Sequence, residues 1–183
     1  MNIYALSSGQ GPSGIAILRL SGLDTLNICK KISNLKNIKI NEVNFCKFYD
    51  PKNKIIIDPE SLLLWFPKPN SYTGEDLAEF HVHGSNAVIN KLLKVLSEQK
   101  NCRLAEPGEF TKLAFQNDKI DLLKAESIGD LIHAETELQR QQAVKLVQGN
   151  ASNYYNNLRE KLIKSLSYIE AKIDFAEDDL PEK

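Results

Sequence analysis

The spacing of apolar residues changes character near Asp121. Before that point, short apolar runs alternate with turns; beyond it, the spacing is helical throughout. Asn2–Leu6 and residues 15–20 read as strands separated by the loop SSGQGPSG, and Ser21-Gly22 ends the second. Leu23, Leu26, Ile28 and Ile32 then mark a short amphipathic helix over 24–32, with Asp24 or Thr25 near its start. Residues 43–49 and 55–57 predict strands around the turn at 50–53, and 61–66 is a nearly continuous apolar run. Such a run predicts a central strand covered on both faces, and Pro67 and Pro69 end it. Residues 77–83 alternate as a strand, Gly84-Ser85 opens a helix, and Val88, Ile89, Leu92, Leu93 and Leu96 define it over 87–96. An edge strand at 102–104 and a short helix at 111–116 complete the first part.

The second part predicts one helix over 122–135 and one very long helix over 136–176. The stripe of the latter runs through Val144, Val147, Ala151, Tyr154, Leu158, Leu162, Ser165, Ile169 and Ile173 in steps of three and four. A helix of ~40 residues spans ~60 Å and cannot bury its stripe without partner helices. Only one other helix is available, so the helical part is expected to be incomplete, with Glu177-Asp178-Asp179 as an exit toward further chain. The domain division expected is 1–118 and 119–183.

Composition narrows the partners. Of 183 residues, 42% are hydrophobic and 26% charged, with a net charge of −1, which suits a globular protein and gives no general pull toward nucleic acid or anionic membrane. Contact with RNA would need a local basic patch. Cys29, Cys46 and Cys102 are odd in number and form no CxxC pair, the usage of free thiols in a reducing compartment. No apolar run approaches the ~18 residues of a membrane helix, and no signal peptide precedes the first strand. A cytoplasmic location without membrane contact is expected.

Candidate chemistry centres on residues 70–85, NSYTGEDLAEFHVHGS, where a polar turn leads into a strand carrying a carboxylate and two imidazoles. Glu75 and Asp76 suit a solvated turn. Glu79 sits where a strand is partly buried, and a buried carboxylate is costly unless paired, so it is a site candidate. His81 and His83 share one side of the strand, as metal ligands can. His133 lies in a helical segment and no other Cys or His is near, so packed or ligand-lining histidines are preferred and no metal is expected. Arg19 interrupts an apolar strand. It reads either as an edge-strand arginine whose head reaches solvent or as a fork for an anionic ligand. Lys119, in the polar turn 117–121, is a surface lysine that can reach back toward a site. Gly9-x-Gly11-x-x-Gly14 matches a dinucleotide fingerprint on paper, but that motif needs a following helix. Here a β-rich run follows, which excludes a nicotinamide-dependent oxidoreductase.

Four segments carry a resemblance: Gly14-Ile15-Ala16-Ile17-Leu18-Arg19-Leu20-Ser21-Gly22; Pro69-Asn70-Ser71-Tyr72-Thr73-Gly74-Glu75-Asp76; Pro107-Gly108-Glu109-Phe110-Thr111 with Asn117-Asp118-Lys119-Ile120-Asp121-Leu122; and Glu170-Ala171-Lys172-Ile173-Asp174-Phe175. In this order and spacing they resemble the N-terminal part of the MnmE (TrmE) family of tRNA-modification GTPases, over nearly the whole chain. The resemblance implies an α+β fold: an N-terminal mixed sheet with helices, related to the folate-binding domain of the glycine-cleavage aminomethyltransferase, then an incomplete all-α helical domain. It implies a homodimer formed through the N-terminal domain and a partnership with the flavoprotein MnmG. Together these add an aminomethyl or carboxymethylaminomethyl group to C5 of the wobble uridine of certain tRNAs. A tetrahydrofolate derivative, such as 5-formyl- or methylene-tetrahydrofolate, supplies the carbon, and potassium and magnesium act with GTP.

The family's folate contacts fall here on Arg19, Glu79 and Lys119, with a further contact from an extreme C-terminus beyond this chain. After Glu79 the run Phe80-His81-Val82-His83-Gly84-Ser85 replaces one that commonly ends in Gly-Gly. The chain has no P-loop, guanine-specificity motif or C-terminal Cys motif, so no GTPase activity and no catalytic residue is expected within it. Two other readings compete: a free-standing aminomethyltransferase-like enzyme, and a non-catalytic dimerisation scaffold.

Overall fold

The structure, a computed structural model, describes residues 1–174. It forms two compact units, the first Met1–Lys119 and the second beginning at Ile120. The first is an α+β unit built on one six-stranded sheet. Its strands are β1 (Asn2–Leu6), β2 (Ser13–Ser21), β3 (Asn44–Tyr49), β4 (Ile56–Phe66), β5 (Leu77–Gly84) and β6 (Cys102–Leu104). They lie in the order β3-β4-β5-β2-β1-β6. All neighbours are antiparallel except the edge pair β1–β6, which is parallel and makes the sheet mixed.

Alternation along the two central strands sorts side chains between the faces. Ala16, Leu18 and Leu20 of β2, and Ala78, Phe80 and Val82 of β5, enter the core. Against them pack Ile28, Cys29 and Ile32 of α1 (Thr25–Ser33) and Ile89, Leu92, Val95 and Leu96 of α2 (Asn86–Ser97). Ser85 caps α2 by accepting a bond from the Val88 N–H at 3.2 Å. Burial pushes the thiols of Cys29 and Cys46 upward, the latter to about 11. Both are therefore core hydrophobes rather than thiolate nucleophiles.

The strands expected at 55–57 and 61–66 are one strand, β4. It passes through Asp58-Pro59-Glu60 with its register against β3 slipping between Cys46 and Phe48. Nor is the 61–66 run central and doubly covered. It lies second from the edge, with Ser61, Leu63 and Trp65 buried and Leu62, Leu64 and Phe66 only half-buried. The run is continuously apolar because β4 is apolar on both faces, with Leu62, Leu64 and Phe66 on the side opposite the helices. Phe45 of β3, paired opposite Leu62, is exposed on the same side.

The second unit contains α4 (Leu122–Ile132), α5 (Glu137–Val147) and α6 (Asn150–Asp174). The single helix expected over 136–176 is two helices. Its start was well marked, since Thr136 and Gln139 form a reciprocal capping box at the N-terminus of α5. It breaks at Gly149, whose φ of +86° is left-handed, and whose N–H donates to the Leu146 carbonyl at 2.9 Å. Glycine just past a helix end takes this conformation without Cβ strain, and the apolar spacing runs straight through it. Ala143 of α5 is buried, whereas no described residue of α6 is. Phe175, Ala176 and the acidic run 177–179 lie outside the described residues. Among the described residues, no helix is long and apolar enough to cross a membrane.

Candidate functional site

The open face of the sheet carries a row of directly opposed residues: Leu64 of β4, Glu79 of β5, Arg19 of β2 and Ala5 of β1. Arg19 is therefore on an interior strand, which removes the edge-strand reading. Its Nε and Nη2 donate to Glu79 Oε1 at 3.1 and 2.7 Å, with the side chains only 24% and 19% exposed. A carboxylate there is tolerable because the charge-assisted bonds offset its desolvation. The other oxygen, Oε2, has only a long contact of 3.4 Å to His81 Nε2. A carboxylate offers about four acceptor positions, so Glu79 retains capacity for a ligand's N–H groups.

Two aromatic rings hold the arginine from outside the sheet. The guanidinium carbon lies 5.3 Å from the centre of the Tyr72 ring and 5.5 Å from that of Phe110, within cation–π range. Tyr72 comes from the turn after β4. Phe110 comes from α3 (Glu109–Gln116), and the Tyr72 and Thr111 hydroxyls bond at 2.9 Å.

The turn is fixed from below. The Thr73 hydroxyl bonds that of Ser21 at 2.8 Å, and Asn117 Nδ2 donates to the Thr73 carbonyl at 2.7 Å. Gly74 has φ +78°, and a Cβ there would lie 2.9 Å from Asn117 Cβ, so both conformation and space require glycine. Asp76 is not merely solvated: its Oδ1 accepts from the Lys68 N–H at 2.9 Å.

Lys119 closes the first unit and spans the turn, its Nζ donating to the Pro69 carbonyl at 2.9 Å. The structure thus joins Arg19 and Glu79 directly and brings Lys119 to the turn that holds Tyr72. Among the described residues, the ionic partners of Glu79 are Arg19 and His81. The start of α3 is secured by Glu109, which pairs with Arg103 of β6 and accepts from the Glu106 N–H at 2.8 Å. The Arg103 guanidinium holds the Glu109 carboxyl down at about 2.

Farther along β5, His83 meets Asp58 of β4. Its backbone N–H donates to Asp58 Oδ2 at 2.7 Å, and Nδ1 lies 2.9 and 3.0 Å from the two carboxylate oxygens. Asp58 is fully buried. Burial alone would raise its carboxyl, but the bonds from His83 and from the Glu60 N–H outweigh that and leave it below the usual carboxylate range. Among the described residues, no three His, Cys, Asp or Glu side chains cluster as metal ligands. Sequence reasoning missed Asp58, Tyr72 and Phe110. Asp58 falls between the runs 55–57 and 61–66 that the spacing marks as strands, where no pattern singles it out, and a lone aromatic in a polar turn has no periodicity to mark its direction.

Comparisons with known proteins agree with this architecture. Residues 2–119 match the family described as "GTP-binding protein TrmE N-terminus", and residues 122–183 match "MnmE helical domain". The chain is 59% identical over 182 residues to the tRNA modification GTPase MnmE of Pelagibacter ubique, covering 100% of this chain and 41% of that protein. It is 42% identical over 179 residues to the MnmE of Parvibaculum lavamentivorans, covering 98% of this chain and 41% of that protein. It is also 42% identical over 182 residues to the mitochondrial tRNA modification GTPase gtpbp3 of Dictyostelium discoideum, covering 96% and 35%. The chain spans about two fifths of the length of these curated relatives. A mixed-sheet α+β domain followed by a helical domain is the class of protein that fold and matches define together. The chain belongs to the MnmE (TrmE) family, and corresponds to its N-terminal segment.

Proposed function

We propose that this chain is the folate-binding and dimer-forming N-terminal segment of a tRNA-modifying GTPase. The observation that carries the reading is Glu79: a half-buried carboxylate locked by Arg19 on one oxygen, with acceptor capacity left on the other. A reduced pterin presents an amine and a ring N–H on one edge, which such a carboxylate accepts. Lys119 lies at the rim of the same turn and suits the ligand's carbonyl groups or acidic tail. The bound folate supplies a one-carbon unit, and this chain's residues bind and orient it. On this reading the longer protein carries a G domain using GTP with potassium and magnesium. It acts with MnmG on C5 of the wobble uridine of its tRNAs, in the cytoplasm. Phe45, 70% exposed on the open face opposite Leu62, supports association with a second copy.

Calorimetric titration with 5-formyltetrahydrofolate tests the ligand. Binding is expected, and Glu79→Ala is expected to weaken it by about 1.5–3 kcal/mol, the worth of a hydrogen bond to a charged group. Unchanged affinity in the variant would remove Glu79 from the site. Light scattering at micromolar concentration should give twice the 20.6 kDa chain mass; a monomer would contradict the dimer.

A further inference from the structure

Glu79, His81 and His83 are successive outward positions on β5, and a cavity of about 130 Å³ lies beside the two histidines. Ile15 and Leu62 supply apolar lining, and Glu60 a carboxylate. The space opens to solvent on one side and is close in volume to an enclosed cavity that admits benzene, about 150 Å³, so it is of the size of a single six-membered ring. His81 connects the cavity to the pair described above, because its ring lines the cavity while Nε2 reaches toward Glu79.

The chemistry of the far end is set by Asp58. A buried carboxylate bonded to His83 Nδ1 makes that nitrogen the proton-bearing one, so in the neutral form of the ring Nε2 is an acceptor. Among the described residues Nε2 has no partner, and the side chain is 59% exposed. An oriented acceptor beside a ring-sized space suits an aromatic ring bearing an N–H. At 3.3 Å per strand residue, His83 lies ~13 Å from Glu79, a distance that two linked ring systems span.

We propose that the His83 cavity is a second subsite for the same ligand, taking an arylamine or arylamide ring whose N–H donates to His83 Nε2. The proposal rests on the folate reading: the pterin edge lies at Glu79 and the aminobenzoyl ring occupies the cavity, which leaves Lys119, at the other end of β5, for the pterin carbonyl rather than the acidic tail. His83 binds and orients this ring, and Asp58 is the positioning residue that fixes the imidazole.

His83→Asn separates ligand contact from structural role. The Asn side-chain amide reproduces the Nδ1 donor to Asp58 but carries nothing at Nε2. Proton NMR follows the ring signals of the three histidines, assigned by single substitution. On addition of 5-formyltetrahydrofolate, the His83 signal should shift in step with binding while that of His133 stays still. His83→Asn should keep the melting temperature and weaken this ligand about fivefold, the worth of one neutral hydrogen bond. It should leave pterin-6-carboxylate, which lacks the second ring, unaffected. Folate binding to the unaltered chain with a stationary His83 signal and full affinity in His83→Asn would overturn the subsite and leave the Glu79 reading standing. Equal weakening of both ligands would also overturn it. No binding by the unaltered chain would overturn both.

Discussion

Arg19 and Glu79 face each other across neighbouring antiparallel strands, and both guanidinium bonds end on one carboxylate oxygen. The pair therefore commits one side of the carboxylate to structure and leaves acceptor capacity on the other, which the proposed folate reading uses. Removing one member should cost more than removing both. Arg19→Leu leaves a partly buried, uncompensated charge and should destabilise the chain by about 1–3 kcal/mol, reduced from the fully buried case by partial exposure. Adding Glu79→Leu should restore much of that loss. Urea unfolding of the single and double variants checks this, and a double variant less stable than Arg19→Leu would contradict the account.

Phe110 acts on the same arginine from α3. A double-mutant cycle between Arg19→Met and Phe110→Leu should return a coupling of about 0.5–1 kcal/mol, the range for a partly exposed cation–π contact. Zero coupling would mean that the ring packs beside the guanidinium without holding it.

The link between β6 and α3 makes acid sensitivity specific. The Glu109 carboxyl titrates at about 2 in the folded chain against an ordinary value of 4.5. A depressed acid contributes stability that is whole above the unfolded value and is lost as pH falls toward the folded one. Stability should therefore drop between pH 4.5 and 2, with Asp58 and Asp50, both also held low, adding to the fall. Glu109→Gln should be less stable at neutral pH and lose less on acidification. Thermal melts across that window decide it, and parallel curves for both proteins would exclude Glu109 as a contributor.

Much of this arrangement was legible in the residues, for reasons that can be stated. Strand alternation at 77–83 put Glu79 among half-buried positions, where an unpaired carboxylate is not tolerated, so a partner had to exist. Its identity was not legible, because Arg19 is sixty residues away in sequence and only strand pairing brings it opposite. Resemblance named Arg19, Glu79 and Lys119 together, but could not show that Tyr72 and Phe110 hold the arginine from two sides. The helix break was missed because apolar spacing through Val147 and Ala151 keeps its period across Gly149, whose left-handed backbone leaves no trace in hydrophobicity. The 61–66 run misled differently: its outward residues Leu62, Leu64 and Phe66 are apolar on a face that the core helices leave open, not under a second cover.

A crystal structure of the chain grown with 5-formyltetrahydrofolate tests the central claim most directly. The account expects the pterin edge within hydrogen-bond distance of Glu79, with the Arg19 bonds to Oε1 retained. A ligand bound away from Glu79, or a carboxylate that accepts nothing from it, would contradict the proposed site.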